Sequence, residues 1–243
     1  MKTARSIFGA FWLAWGAWWF LLMMIVCTPF VAITLPLFKR KAARWWIWFL
    51  FSKGAPFVLF MCGVRIKVFG LENIVTNQAY VFVANHTSQL DILTAASASK
   101  LPYKFLAKSE INKIPFFGYM TRQLAIMVDR SSKESREKSV QYMIEELNRN
   151  MSLLIYAEGT RNRTAEKLKE FKDGAFRVAV LAKKPLVAVT LVGNKTLNNP
   201  NGFQLFPGEV KVFWSKPIET THLSFDDLPM LKERVKQEML LHL

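Results

Sequence analysis

Thirty-three consecutive residues, 6–38, carry no charged side chain, and no acidic residue occurs before Glu72. A hydrocarbon core about 30 Å thick is crossed by about 20 apolar residues in a helix, so this run contains a plausible span near 7–28. Nine basic residues fall in the first 71 positions, which gives that segment +9 of the formal charge of +15. Seven of the eight tryptophans lie within the first 48 residues. Basic, tryptophan-rich and apolar, the segment suits the surface of an anionic bilayer. Nucleic-acid binders instead interleave their bases with exposed polar surface, so an anionic membrane is the expected partner and nucleic acid is not.

Lys2 and Arg5 could open a cleaved signal peptide, but the run is long for one, is dense in tryptophan and lacks a small-x-small cleavage site. Pro29 and Pro36 are expected to break the first helix, and Lys39, Arg40, Lys41 and Arg44 to mark a return to water. A second apolar stretch, 45–63, is interrupted by Lys53, Gly54 and Pro56 and fits a helix lying in the interface. Two topologies follow. A spanning first helix would leave the remainder in the cytoplasm by the positive-inside rule, whereas a two-helix hairpin would sit in one leaflet. The chain divides on this basis into a membrane-associated segment, 1–63, and a second domain, 64–243. Cys27 and Cys62 belong to no metal-spaced set, so they read as small buried hydrophobes and no metal site is expected.

From residue 65 onward, short β-rich runs alternate with helical patterns. Strands are expected at 65–69, 80–84, 103–107, 125–128, 153–156, 186–192 and 210–214. Helices are expected near 88–99, 114–123, 132–148, 174–183 and 228–241. The clearest helix has a capping box, Ser131 with Glu134, and a buried stripe of Val140, Met143, Ile144 and Leu147. The alternation predicts an α/β fold, two-layer or sandwich, around a largely parallel sheet. No G-x-G-x-x-G, P-loop or G-x-S-x-G occurs, which removes the main support for dinucleotide, nucleotide and serine-hydrolase readings.

Chemistry in such folds collects in loops after the carboxyl ends of strands. Asn85-His86-Thr87-Ser88-Gln89-Leu90-Asp91 follows one predicted strand and Glu158-Gly159-Thr160-Arg161 another. With Ser88 as N-cap, Asp91 falls at N3. It then either completes a capping box beside an ordinary loop histidine or orients His86 as a base. The helix N-terminus disfavours a cationic imidazole, which suits a base that draws a proton from a substrate hydroxyl. Backbone N–H groups near Gly159 or after Ser88 are candidate oxyanion donors. Arg161 offers a planar donor fork matched to phosphate, followed by Arg163, Lys169 and Lys172. Glu158 pairs with a nearby base or holds the loop's shape. Lys108, at a strand end, supplies a candidate second cation.

Taken in order, these segments resemble the lysophosphatidic acid acyltransferase family, the 1-acyl-sn-glycerol-3-phosphate acyltransferases of bacterial type. The N-H-x-x-x-x-D block is Asn85 to Asp91, and the K-x-E…P-x-x-G block is Lys108 to Gly118 with Asp129-Arg130 downstream. The F-P-E-G-T-R block stands as Tyr156-Ala157-Glu158-Gly159-Thr160-Arg161, and the last block covers Pro185 to Val192. Ala157 and Ala188 stand where the family usually or often has proline.

The resemblance implies an acyltransferase fold with an N-terminal membrane hairpin, with His86 as general base and Asp91 as its partner. Lys108 and Arg161 would hold a phosphate, with Glu158, Gly159 and Thr160 in the same substrate-binding set. The acyl donor would be a thioester of coenzyme A or acyl carrier protein, with no further cofactor. The acceptor would be the sn-2 hydroxyl of lysophosphatidic acid, giving phosphatidic acid at a bacterial cytoplasmic membrane with the catalytic domain inside. The two departures leave a lyso-aminolipid or another lysophospholipid as an alternative acceptor. A non-enzymatic protein binding anionic membranes is the remaining alternative, though it gives His86, Asp91 and Glu158 no role.

Overall fold

The computed structural model describes residues 2–38, 40–129 and 133–243. Two N-terminal helices, α1 (Lys2–Thr34) and α2 (Arg40–Met61), precede a seven-stranded sheet. The strands are β1 (Val64–Phe69), β2 (Val81–Ala84), β3 (Tyr103–Lys108), β4 (Ala125–Val128), β5 (Ser152–Tyr156), β6 (Leu186–Val192) and β7 (Gly208–Trp214). Their order is β1-β7-β6-β2-β5-β3-β4, and every pair is parallel except β6 with β7. Between and after them run α3 (Asp91–Ser97), α4 (Phe117–Leu124), α5 (Lys133–Asn148), α6 (Gly174–Ala182), α7 (Asn194–Leu197) and α8 (Leu228–Leu240).

Central β2 reads Val-Phe-Val-Ala with every residue buried, as a parallel strand covered on both faces must. Edge strand β1 alternates instead, exposing Arg65 and Lys67, which discourages pairing with another chain. Val81, Val83 and Leu153 point to one face and pack under α5, α6 and α8 with Leu147, Phe176 and Val235. Phe82, Leu154 and Val187 point to the other and pack with Leu59, Trp48 and Leu93. Helices thus cover both faces, the sandwich form of the expected fold.

All seven expected strands are present, with ends displaced by two residues at most. Two details differ from the sequence reading. Pro29 lies inside α1 and does not end it; a proline removes one main-chain hydrogen bond, and the helix continues to a 3-10 turn, Leu35–Leu37, that holds Pro36. Ser88 is not the cap of α3, which begins at Asp91: the Ser88 hydroxyl accepts the Leu90 N–H at 3.1 Å, holding 88–90 in a tight turn ahead of the helix. Ser131 of the expected capping box lies outside the described residues, whereas Met143 and Leu147 of the stripe are buried.

The helices α1 and α2 form an antiparallel hairpin clipped at both ends. Indole N–H groups of Trp12 and Trp15 donate to the carbonyls of Cys62 and Met61, each at 2.9 Å, and Trp46 donates to Thr34 Oγ1 at 2.9 Å. Trp48 of α2 packs on Tyr103 of β3 with ring centroids 4.6 Å apart, which seats the hairpin on the sheet's helical layer. The outer side of α1 leaves Ile7, Phe11, Trp18, Val26 and Ile33 exposed. Among the described residues one helix, 3–37, is long and apolar enough to cross a membrane.

Candidate active site

Asn85 fixes where β2 ends. Its side-chain amide donates to Leu191 O at 3.0 Å and accepts from Leu191 N at 2.7 Å, so it pairs with β6 as a strand residue would while the main chain turns away. The turn presents His86, whose Nδ1 lies 2.8 Å from Asp91 Oδ2. Asp91 is fully buried, and Oδ2 also accepts the main-chain N–H groups of Thr87 (2.6 Å) and Ser88 (2.8 Å). Oδ1 accepts from Asn194 Nδ2 at 2.7 Å, and Asn194 Oδ1 in turn accepts from the Thr94 hydroxyl at 3.1 Å. With Nδ1 facing a carboxylate, the imidazole proton belongs on Nδ1 and the lone pair on Nε2. Of the two roles open to Asp91, the geometry supports orientation of His86, and the same carboxylate also ties down the turn.

The loop after β5 closes over this turn. Glu158 Oε1 accepts from His86 N at 2.8 Å and Oε2 from Lys169 N at 3.0 Å, while Asn162 N donates to His86 O at 2.6 Å. Both main-chain polar groups of His86 are therefore held by the Glu158–Asn162 stretch. Burial pushes the Glu158 carboxyl above its ordinary value, and the His86 and Lys169 N–H groups oppose that rise. Gly159 adopts φ +72°, a left-handed conformation that glycine reaches without a Cβ penalty, so the chain reverses directly after Glu158. Tyr156 lies flat on the His86 ring, with centroids 4.1 Å apart and planes at 20°.

The remaining expected site residues fall as follows. Arg161 lines a cavity of about 680 Å³ together with His86 and Gln89. The cavity runs inward between Leu93, Phe105, Met120 and Leu124 of the domain and Phe20, Met24, Phe51 and Val58 of the hairpin. Thr160 Oγ1 accepts from Lys169 Nζ at 2.7 Å, on the protein surface. Glu158, expected in the substrate-binding set, braces the loops instead, because both carboxylate oxygens are engaged by main-chain N–H groups. Lys108 lies outside the cavity wall at the end of β3, where its Nζ pairs with exposed Glu110 at 2.6 Å and draws that carboxyl below its usual range. Among the N–H groups in the two regions expected to supply oxyanion donors, those of Thr87 and Ser88 go to Asp91, that of Leu90 to Ser88 Oγ, and that of Gly159 to Tyr156 O at 3.0 Å. No cluster suited to a metal ion occurs among the described residues.

Sequence reasoning missed Asn194, which is buried and holds the far oxygen of Asp91. The signal was present: Gly193-Asn194 follows β6 at its carboxyl end, the position that drew attention to the other two loops. It also missed Asn198, whose Oδ1 accepts from the Ser88 hydroxyl at 2.9 Å.

A family model described as Acyltransferase matches residues 65–192. The chain is 31% identical over 182 residues to a 1-acyl-sn-glycerol-3-phosphate acyltransferase of Saccharomyces cerevisiae, covering 74% of this chain and 60% of that one. It is 32% identical over 201 residues to a putative 1-acyl-sn-glycerol-3-phosphate acyltransferase of Caenorhabditis elegans, covering 78% and 70%. It thus spans about three-fifths to seven-tenths of these relatives. The fold is similar to the crystal structure of the 1-acyl-sn-glycerophosphate (LPA) acyltransferase PlsC from Thermotoga maritima. That match has a TM-score of 0.84 at 22% identity, over 98% of this chain and 95% of the other.

Proposed function

The chain belongs to the acyltransferase family, and on that premise we propose that it moves a fatty acyl group from a thioester to the free hydroxyl of lysophosphatidic acid. The observation that carries this reading is that His86, paired with Asp91, lines the same apolar cavity as Arg161. The relatives carry this activity in their names, and the geometry here fits it.

In this reading, the lone pair on His86 Nε2 takes the acceptor's hydroxyl proton as the oxygen bonds to the thioester carbon. The imidazolium so formed donates Nδ1–H to Asp91. Collapse of the tetrahedral intermediate breaks the carbon–sulfur bond, and Nε2 returns the proton to the leaving thiolate. Arg161 binds the acceptor phosphate through its fork. Lys108 contributes a second cation only when its exposed pairing with Glu110 opens. The acyl chain occupies the apolar cavity, and the donor is a thioester of coenzyme A or acyl carrier protein.

The hairpin is read as lying in one leaflet rather than crossing the bilayer. Helix α1 is tied to the domain near its start, where Gln204 donates to Ser6 Oγ at 2.7 Å and Leu205 N donates to Gly9 O at 2.9 Å. Farther along, Phe20 packs edge-on against Phe117, with centroids 5.8 Å apart. A helix bound along the domain in this way leaves its outer aromatic face for lipid and opens the cavity beside it. Thiol labelling of single cysteines placed at Ser6 and Leu37, in a background lacking Cys27 and Cys62, tests this; both react from the same side of sealed vesicles.

Purified protein given acyl-coenzyme A and lysophosphatidic acid releases free thiol, and His86→Ala lowers that rate by about 10³-fold or more. Near-normal turnover by His86→Ala ends the assignment of the base. Absence of turnover with either donor ends the proposed reaction.

A further inference from the structure

Tyr156 closes off one face of the His86 imidazole, and nothing in the proton-transfer scheme above uses it. Its ring stacks on the histidine with centroids 4.1 Å apart and planes inclined by 20°. Its hydroxyl is buried and has no hydrogen-bond partner among the described residues. An unpartnered buried hydroxyl is costly, so hydrogen bonding does not account for the residue. What the arrangement does supply is an electron-rich aromatic face held in contact with a ring that becomes positively charged as it takes a proton.

We propose that Tyr156 is a positioning residue whose aromatic face supports His86 and favours the imidazolium formed during acyl transfer. The proposal rests on the reading of His86 as the base. Aromatic faces carry the negative lobe of the ring quadrupole and attract a cation placed over them. Here the cation exists only after proton transfer, so the attraction is stronger in the transition state than in the resting enzyme, and such differential binding raises kcat. Asp91 meets the histidine edge at Nδ1, Tyr156 meets its face, and Glu158 and Asn162 hold its main chain. The imidazole is thereby fixed in plane, tilt and depth, in a residue that lines the cavity.

The test is a graded series at this one position in the full-length enzyme. Tyr156→Phe retains the face and drops the unpartnered hydroxyl; it is expected to keep kcat within about threefold of the parent with an unchanged or higher Tm. Replacement by difluoro- and pentafluorophenylalanine preserves the ring shape while draining its face of negative charge. Across that series kcat is expected to fall stepwise, by about 3- to 30-fold at the pentafluoro ring, a range matching the cation–π energies of rings on cations. The KM for the acyl donor is expected to stay unchanged, because Tyr156 is not among the residues that line the cavity. Tyr156→Leu is expected to lose at least as much kcat as the pentafluoro variant.

A kcat indifferent to fluorination overturns the proposed stabilisation of charge. Equal loss in every variant, Tyr156→Phe included, also overturns it, since the loss would then follow the hydroxyl. His86→Ala is run in parallel to separate the two readings. If it is inactive while the fluorinated series is flat, the base stands and the role of Tyr156 fails. If His86→Ala retains turnover, both fail together.

Discussion

Glu158 and His86 are joined side chain to main chain: the glutamate Oε1 accepts the histidine N–H at 2.8 Å, across 72 residues of sequence. The contact makes an acidic residue of one motif the structural support of the histidine in the other. It also accounts for a buried carboxylate in this loop, since both its oxygens are engaged by main-chain N–H groups.

Replacing Glu158 with glutamine keeps the shape but substitutes an NH2 for one of two acceptors. One buried main-chain N–H then loses its partner, at a cost of about 1–3 kcal/mol. Displacement of the His86 turn is expected to lower kcat by about 10- to 100-fold, because small errors in the position of a base are costly. Turnover kinetics together with the urea midpoint check both effects. An unaltered kcat contradicts the bracing role.

The same residue gives a pH signature. Burial raises the Glu158 pKa above its unfolded value, so its contribution to stability is fully present below the unfolded pKa. That contribution is lost as pH rises through the elevated folded value. Activity moves the opposite way, since a protonated carboxyl is a poorer acceptor for His86 N and Lys169 N than the carboxylate. Between the ordinary glutamate range and the raised value, kcat is expected to fall on acidification while this group's effect on Tm is favourable. Glu158→Gln removes the Tm component, which thermal scans across mildly acidic pH would detect.

Asn194 donates to the far oxygen of Asp91 and accepts from Thr94, and all three side chains are buried. Asn194→Leu leaves a buried carboxylate oxygen without its bond, while the Thr94 hydroxyl keeps Leu90 O at 2.9 Å. We expect a loss of about 2–4 kcal/mol, or about 4–12 °C in Tm for a chain of this size. With Asp91 less firmly held, kcat falls by about tenfold or more while the KM for the acyl donor is unchanged. A normal kcat in a protein destabilised by the same amount would restrict Asn194 to folding.

Arg161 is the cation on the cavity wall, whereas Lys108 is paired outside it. Arg161→Ala is expected to raise the KM for lysophosphatidic acid by about 10- to 100-fold, in line with the loss of a charge-assisted bidentate contact. Arg161→Lys recovers only part, because an ammonium lacks the planar fork. A zwitterionic lyso-aminolipid acceptor should be much less affected. Equal losses for both acceptors would remove the phosphate from the argument.

Val58 of α2 lines the apolar cavity and is almost wholly buried. Val58→Phe fills part of that volume, at about 1–3 kcal/mol for overpacking. Long-chain acyl donors are expected to lose at least about tenfold in kcat/KM relative to short ones, since excluded methylenes forfeit about 0.8 kcal/mol each. A donor series of increasing length measures the ratio directly. A uniform loss at all lengths would point to damage elsewhere.

Much of this site was legible in the order of residues along the chain. Runs such as 80–84 and 186–192 are apolar throughout because they are buried on both faces, and that pattern places His86 and Asn194 at strand ends. The five-residue interval from His86 to Asp91 allowed the pairing that the structure contains. The sequence could not reveal that Pro29 is tolerated within α1, because that depends on the surrounding helix rather than on the proline. Nor could it reveal that Asp91 faces His86 and ties down the turn ahead of α3 in place of completing a capping box with Ser88.

Local sequence determined the strands, the helix faces and the two loops that bear the polar residues, since these depend on periodicity and backbone chemistry over a few neighbours. Tertiary structure alone decided that Glu158 turns inward to hold His86, that Tyr156 covers the imidazole, and that α1 and α2 complete a cavity begun by the sheet's helices. Those contacts join residues tens to more than a hundred positions apart. Their geometry comes from strand order and helix packing, which no short window of sequence encodes.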